Sequence, residues 1–307
     1  LDSLPEVFYR PEDLYVSRQW GIRTEEWMGY RRTVSEATVL ADLACQVKGE
    51  IGERGEEKDE VGRMYASGVP ERWDEEERRD EELEDRVPLL AMVDGSLIYW
   101  FLEALPNEAR DRLLPDILQA WEQLRLAKIP LIGYLSASRS GEALNFLRLQ
   151  TCPHPAPDCA THCPGQSDRA PCHVFDPLRD IALWSAFLEP GQRSPLWRSS
   201  ARILDLYGPH SIYFCYVHVG TEIARVEFPA WVAEDSVLLE MALSLTLAQV
   251  QKGYGYPVAL AEAHNQAVVR GGDRSRFFAL LEQQMMRAGL RNIGTSYKEA
   301  RKRGSIA

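Results

Sequence analysis

The sequence lacks any apolar run of the roughly 18 residues that a membrane-spanning helix requires. It also lacks a basic start followed by a short apolar stretch, the pattern of a secretory signal. The composition is not that of a disordered chain, because hydrophobic residues make up 45% and charged residues 26% of 307 positions. These absences predict a folded protein of the cytoplasm that has no membrane partner.

Positive charge is also scarce overall, since the formal net charge is -11. The excess negative charge is local: residues 50–86 contain 16 acidic and 7 basic side chains, whereas residues 287–303 contain six basic side chains and one acidic side chain. A nearly neutral body with a basic end does not exclude DNA as a partner. The acidic segment is typical of a solvated helix or a linker, and a role as a DNA mimic is the less favoured alternative.

Hydrophobic patterning predicts a mixed β-sheet flanked by helices, which places the chain in the α/β class. Residues 1–86 are interpreted as a helical N-terminal extension with the acidic segment, and residues 87–307 as the main domain. A tight Asp94-Gly95 turn is expected to join the first two strands. On the last strand, Arg225 and Glu227 should share one face, with Val226 and Phe228 on the other. Strands are predicted at 89–93, 97–102, 130–135, 212–219 and 222–228, and helices at 115–124, 142–149, 177–188 and 237–252 and from 257 onward.

Three carboxylates follow apolar stretches and are candidate metal ligands. Asp94 ends a buried strand, Glu142 lies in the first turn of a helix, and Asp180 lies within the next helix. Acids that converge on one edge of a sheet could hold two Mg²⁺ or Mn²⁺ ions for phosphodiester hydrolysis. The alternatives are a hairpin turn at Asp94, a helix-dipole contact at Glu142 and an exposed helical acid at Asp180.

Two basic side chains are candidates for contact with a phosphate. His264 stands among alanines, which leave room for a substrate, and imidazole can serve as a ligand or a proton donor. Arg139 follows a predicted strand and could bind a phosphate through its guanidinium. A packed or surface histidine and a surface ion pair are the corresponding alternatives.

Four of the six cysteines lie within a Pro-, Cys- and His-rich loop at 151–177, at Cys152, Cys159, Cys163 and Cys172. Without a secretory signal, metal binding or reduced thiols are favoured over disulfides. The spacing of Cys159 and Cys163 is typical of a zinc knuckle. A structural Zn²⁺ is therefore a hypothesis for this loop, with an iron–sulfur cluster as a weaker alternative.

Four segments in order resemble the NurA nuclease family. They are AMVDGS at 91–96, PLIGYLSASR at 130–139, ARVEFP at 224–229 and GYPVALAEAH at 255–264. The resemblance covers roughly residues 87–290. It implies an RNase H-like fold, a homodimer and Mn²⁺- or Mg²⁺-dependent cleavage of DNA, of the 5'-3' exonuclease and single-strand endonuclease type. It also implies a role in DNA end resection and double-strand break repair, together with a HerA-type hexameric ATPase that translocates DNA.

The resemblance assigns catalytic and metal-binding roles to particular residues. Asp94 matches the family's first metal-binding aspartate and His264 its C-terminal histidine. Glu142 and Asp180 are placed as the remaining acids, with Glu103 and Asp176 as alternatives. A second hypothesis from another class makes the protein a non-catalytic DNA-binding or clamp subunit of a translocase complex, and a phosphatase or RNA-directed nuclease is a weaker third.

Overall fold

The computed structural model describes residue 13, residues 15–65, 87–165 and 169–268, and six isolated positions between 276 and 287. Residues 52–65 are described by their backbone alone. Residues 66–86 of the acidic segment and the basic residues from 291 onward, both used in the sequence analysis, lie outside the described residues.

One five-stranded sheet organises the chain, in the spatial order β1-β2-β5-β4-β3. Strands β1 and β2 pair in parallel, and all other neighbours are antiparallel. The mixed, helix-flanked α/β architecture is therefore confirmed. The strands are β1 Ala91–Asp94, β2 Leu131–Leu135, β3 Trp197–Arg198, β4 Ile212–His218 and β5 Ile223–Pro229.

The helices surround this sheet, and the longest of them lies near the start of the chain. Short 3₁₀ segments occupy Trp100–Ala104, Pro171–Phe175, Arg202–Leu206 and Gly208–His210. The α-helices are α1 Val16–Trp20, α2 Thr24–Tyr65, α3 Asn107–Arg110, α4 Leu114–Leu126, α5 Glu142–Thr151, α6 Cys159–His162, α7 Asp180–Ser185, α8 Ala230–Ala233, α9 Ser236–Lys252 and α10 Val258–Ala267. Among the residues described, no helix is both long and apolar enough to cross a membrane.

The predicted hairpin after Asp94 is wrong. The chain beyond Gly95 does not turn back to pair with β1, because its backbone finds other partners. The Leu97 N–H donates to Glu227 Oε2 at 2.8 Å, and the Tyr99 N–H donates to the Tyr207 hydroxyl at 2.9 Å. These bonds carry the chain across the end of the sheet into a 3₁₀ turn.

Helix α2 shares the main hydrophobic core rather than lying apart from it. Its side chains Trp27 and Ala41 are buried, and the helix packs against α4 and β1. The core cluster that contains them also contains Ile117 and Trp121 of α4. The apolar face of α2 is thus covered by the same elements that support the sheet.

The two faces of the sheet carry different chemistry. Residues directly opposite on neighbouring strands share a face, and successive residues alternate. Tyr134 is opposite Val226, and both belong to an apolar core cluster. On the other face, Tyr216 is opposite Arg225, and Glu227 lies two residues further along β5. The predicted alternation along β5 is confirmed, and this second face holds two charged side chains, Arg225 and Glu227, although it is buried.

Candidate active site

Asp94 ends β1 with an exposed side chain. Its Oδ1 accepts a 2.7 Å hydrogen bond from the Tyr256 hydroxyl, and no other described residue bonds to the carboxylate. The ring of Tyr256 packs edge-on against Tyr134, with centroids 5.5 Å apart. Asp94 is thus oriented through one oxygen, and a hard anionic ligand remains open to a cation.

The backbone around Asp94 is fixed by a close crossing of two chain segments. Gly95 has φ +132°, a conformation that side-chain-bearing residues rarely adopt. The chain then passes over Gly133 of β2, where a Cβ would lie 2.6 Å from the Gly95 carbonyl oxygen. Only glycine fits at 133, so β1 and the loop after it hold Asp94 in a defined place.

A second carboxylate, Glu222, lies at the same end of the sheet and was missed in the sequence. It accepts hydrogen bonds from Ser136 Oγ at 2.8 Å, the Ala137 N–H at 3.1 Å and Tyr134 Oη at 3.3 Å. Burial, the bond to Asp94 and the charges of Asp94 and Glu222 raise the pKa of Tyr256. The sequence signal for Glu222 was the position of this residue immediately before a strand, opposite the end of β2.

Glu142, the first residue of α5, is engaged by two partners. Its Oε2 lies 3.0 Å from Arg225 Nη2, and its Oε1 accepts a 2.9 Å bond from the Ser200 N–H. The predicted position in a helical first turn is confirmed. Both oxygens already have one donor, so a metal at Glu142 would share the carboxylate with Arg225 and the Ser200 N–H.

Arg225 joins the partly buried Glu142 to a fully buried acid, Glu227. Its Nε lies 2.8 Å from Glu227 Oε1, and the exposed fractions of Arg225 and Glu227 are 2% and 1%. The guanidinium carbon lies 3.6 Å from the ring centroid of Phe214. Burial opposes the charged guanidinium, but Glu227, followed by Tyr216 and Glu142, raises the pKa of Arg225. The sequence signal was a pair of opposite charges on one face of a strand.

Asp180 is fully buried, so the alternative of an exposed helical acid is wrong. Its Oδ1 accepts from the Leu144 N–H at 3.0 Å, and its Oδ2 accepts from the Ala143 N–H at 3.0 Å and the Tyr216 hydroxyl at 2.6 Å. The carboxylate thus satisfies two of the N–H groups that the first turn of α5 leaves without helical partners. Burial raises the pKa of Tyr216, whose hydroxyl stays a donor.

Replacing Asp180 with asparagine should therefore destabilise the fold. One carboxylate oxygen becomes an NH₂ group that faces a donor, and a buried unmatched group costs about 1–3 kcal/mol. Tyr216→Phe removes a single donor and should cost about 0.5–1.5 kcal/mol. Urea unfolding followed by circular dichroism measures both variants. Unchanged stability of Asp180→Asn would contradict this account of the carboxylate.

The structure brings Glu142 and Asp180 together at the first turn of α5 but leaves Asp94 apart from them. Asp94 contacts the side of the sheet that carries Tyr134, whereas Asp180 bonds to Tyr216 on the opposite face. A hydrogen bond still links the loop after Asp94 to the opposite face of the sheet, because the hydroxyl of Ser96, two residues beyond Asp94, donates to Glu227. Across the described part of the chain, no three His, Cys, Asp or Glu side chains are arranged to hold a metal ion.

The other candidates lie on the surface. His264 is an exposed residue near the end of α10, a helix that packs against β1. Arg139 is exposed in the loop after β2 and forms no ion pair with any described residue. Of the alternative acids, Glu103 is exposed in a 3₁₀ turn, and Asp176 pairs with His173 at 2.5 Å and with Arg148.

The cysteine-rich segment forms a separate cluster. A small concavity is lined by Cys152, Cys159, Cys163 and Cys172 together with nearby histidines. None of these four cysteines forms a disulfide. Partial burial, followed by the neighbouring thiols of Cys159, Cys172 and Cys152, raises the pKa of the Cys163 thiol. The neighbouring thiols are therefore close enough to affect Cys163.

Comparisons with known proteins agree with the resemblance in the four segments. A family model described as the NurA domain matches residues 1–269. The match begins at residue 1 and includes helix α2, so it extends further toward the start of the chain than those segments do. Comparisons with curated proteins and with solved structures found no match.

Proposed function

Because the chain belongs to the NurA family, whose members are generally nucleases in DNA end processing, we propose that it is a metal-dependent DNA nuclease. The observation that carries this proposal is the exposed Asp94 carboxylate, oriented by Tyr256 at the carboxyl end of a strand. Ligands of open α/β sheets commonly bind beyond the carboxyl ends of strands. The proposed fold is RNase H-like, with the cysteine-rich segment as an insertion.

The carboxylate oxygens at this end of the sheet are the type of ligand that suits Mn²⁺ or Mg²⁺. Both ions prefer hard oxygen ligands, and Asp94, Glu142 and Glu222 supply carboxylates beside the ends of β1, β2 and β4. Glu142 and Glu222 already accept bonds from the protein. We propose Asp94, Glu142 and His264 as the catalytic and metal-binding groups, with Asp94 as the ligand that needs no rearrangement, and Asp180 as the residue of the catalytic set that positions Glu142 through α5.

A pair of divalent ions, when bound, would supply an activated water and neutralise the charge of the leaving oxygen. The protein's own residues hold the acidic side chains in position. Tyr256 holds one oxygen of Asp94, and Arg225 holds Glu142 through a 3.0 Å ion pair. Asp180 holds the first turn of α5, so it acts on Glu142 through the helix. These contacts keep the acids in place before substrate arrives.

DNA is the proposed substrate, and Arg139 is the proposed phosphate contact beside the site. Its exposed guanidinium follows β2, whose end adjoins Asp94. The family further suggests a homodimer, a HerA-type hexameric ATPase as partner, and 5'-3' exonuclease and single-strand endonuclease activity. The homodimer, the ATPase partner and the two cleavage activities are each proposed and each need a separate assay.

A second candidate function has an observation in its favour. The internal bonds of Glu142 and Asp180 are those of structural acids, which suits a non-catalytic DNA-binding or clamp subunit of a translocase complex. Such a protein would bind DNA and assemble with its partner without cleaving any strand. Cleavage is therefore the property that separates the two candidates.

The test is hydrolysis of end-labelled linear single-stranded and double-stranded DNA by the purified full chain. We expect cleavage with Mn²⁺ or Mg²⁺ and none after chelation by EDTA, because the proposed reaction takes its activated water from a bound divalent ion. Mobility shifts measured in the same buffers report binding independently. Binding without cleavage, alone and with the HerA-type partner, would favour the clamp.

A further inference from the structure

We propose that Cys152, Cys159, Cys163 and Cys172 bind one Zn²⁺ ion, which holds the segment 152–172 in a closed loop on α5. This site is distinct from the active site at Asp94. Four cysteines around one tetrahedral ion are a common form of structural zinc site. The ion would have a folding role and would leave no ligand position for substrate.

The segment 152–172 has almost nothing else to hold it together. In the described residues between 151 and 179, no side chain is classed as buried. The segment nevertheless contains the ordered turns of α6 and of the 3₁₀ helix Pro171–Phe175. A short stretch that cannot build a hydrophobic core normally needs a cross-link, either a disulfide or a metal. Its four cysteines form no disulfide.

The four thiols meet at one place although up to 20 residues separate them. All four line a single small concavity. Within the described part of this segment, no buried core surrounds these thiols to account for their meeting. A shared metal ion does account for it, since four cysteines brought together from distant positions are the ligand set of a structural zinc site.

Local structure places two of the ligands as a zinc knuckle does. Asp158 caps α6, accepting from the Thr161 N–H at 3.1 Å and the Thr161 hydroxyl at 2.7 Å. The Cys163 N–H donates to the Cys159 carbonyl at 3.1 Å, so the two cysteines lie one turn apart. His154 and His162 stack on each other at 4.1 Å. This capped turn presents Cys159 and Cys163 to the same concavity.

Cys152 and Cys172 complete the set from the two ends of the segment. Cys152 directly follows the last residue of α5, and Cys172 lies in the 3₁₀ turn that contacts α5. The thiols do not yet stand in ligating positions. A change of side-chain rotamer moves each sulfur without moving the backbone, so thiolates can turn inward as the ion binds. Zinc binding then releases thiol protons.

The loop ends where the acids of the candidate active site are held. Beyond Cys172, Asp176 pairs with Arg148 of α5, and Asp180 caps the first turn of the same helix. Both ends of the segment therefore attach to α5. Loss of the ion should loosen residues 152–172 first, while the sheet and α2 remain folded.

The test is elemental analysis of the purified full chain, reduced and reconstituted with Zn²⁺ and then freed of excess metal. We expect about one zinc per chain and no iron. The double variant Cys159→Ser/Cys172→Ser should bind at least tenfold less zinc. Cys45→Ser is the matched control, since Cys45 lies on α2, and it should keep its zinc. Asp94→Ala should also keep it, which separates this ion from any active-site metal.

A second readout does not depend on metal content. Limited proteolysis of the wild type should cut within 152–172 at least tenfold faster after chelation, and the double variant should be cut equally fast with or without chelator. A wild type without zinc, a double variant that retains zinc, or iron in place of zinc would each overturn the proposal. So would proteolysis that chelation leaves unchanged.

Discussion

Asp94→Ala should lower the rate of metal-dependent DNA cleavage by about a thousandfold or more. A divalent ion contributes several kcal/mol of transition-state stabilisation, and each 1.36 kcal/mol corresponds to a factor of ten in rate. Asp94 is the exposed carboxylate at the end of β1, bonded to the Tyr256 hydroxyl. Single-turnover cleavage of end-labelled DNA with Mn²⁺ measures the loss.

Asp94→Ala should leave folding and DNA binding intact, because the Asp94 side chain is exposed and Tyr256 is its only hydrogen-bond partner among the described residues. Asp116→Asn, an exposed acid in the first turn of α4, is the charge-matched control and should cleave at nearly the wild-type rate. Tyr256→Phe keeps the carboxylate but releases one of its oxygens, so an intermediate loss is expected. Undiminished cleavage by Asp94→Ala would argue against this carboxylate as a metal ligand.

Arg225→Met should lower the free energy of unfolding by about 3–5 kcal/mol. Breaking a buried ion pair by removing one partner leaves an uncompensated charge in the interior. Here Glu227, with 1% of its surface exposed, would lose its counter-charge, and Glu142 would lose its partner at 3.0 Å. Urea unfolding followed by circular dichroism measures the change.

Two controls separate the stranded charge from the loss of packing. Arg225→Met/Glu227→Gln removes the stranded negative charge and should recover part of the lost stability. Arg32→Met breaks the exposed pair with Glu36, whose side chains are 75% and 66% exposed, and should cost about 0.5 kcal/mol or less. Equal losses for Arg225→Met and Arg32→Met would contradict the importance of burial.

Much of the sheet could be predicted from local pattern. Apolar runs predicted β2 and β4, and alternation of apolar and charged residues predicted β5, each to within about one residue at either end. The alternation that put Arg225 and Glu227 on one face was also confirmed. Local pattern could not show that this charged face is buried, because its partners come from β4, α5 and the loop after β1, all distant in sequence.

The candidate site was less accessible to sequence reasoning for the same physical reason. Asp94 stood out because a carboxylate after an apolar run is unusual at a strand end. Glu222 and Tyr256 gave no comparable signal, since their importance arises from contacts across the sheet. The hairpin predicted at Gly95 failed because Glu227, 130 positions from Leu97, captures the backbone that a second strand would have needed.

The sharing of one core by α2 and α4 has a practical consequence for any shortened version of this protein. A fragment that started at residue 87 would leave in water the apolar surface of Trp121 and Ile117 that α2 now helps to cover. Exposure of that apolar surface to water would favour aggregation over folding. A minimal functional piece should therefore begin before Thr24 and keep the whole first half of the long helix.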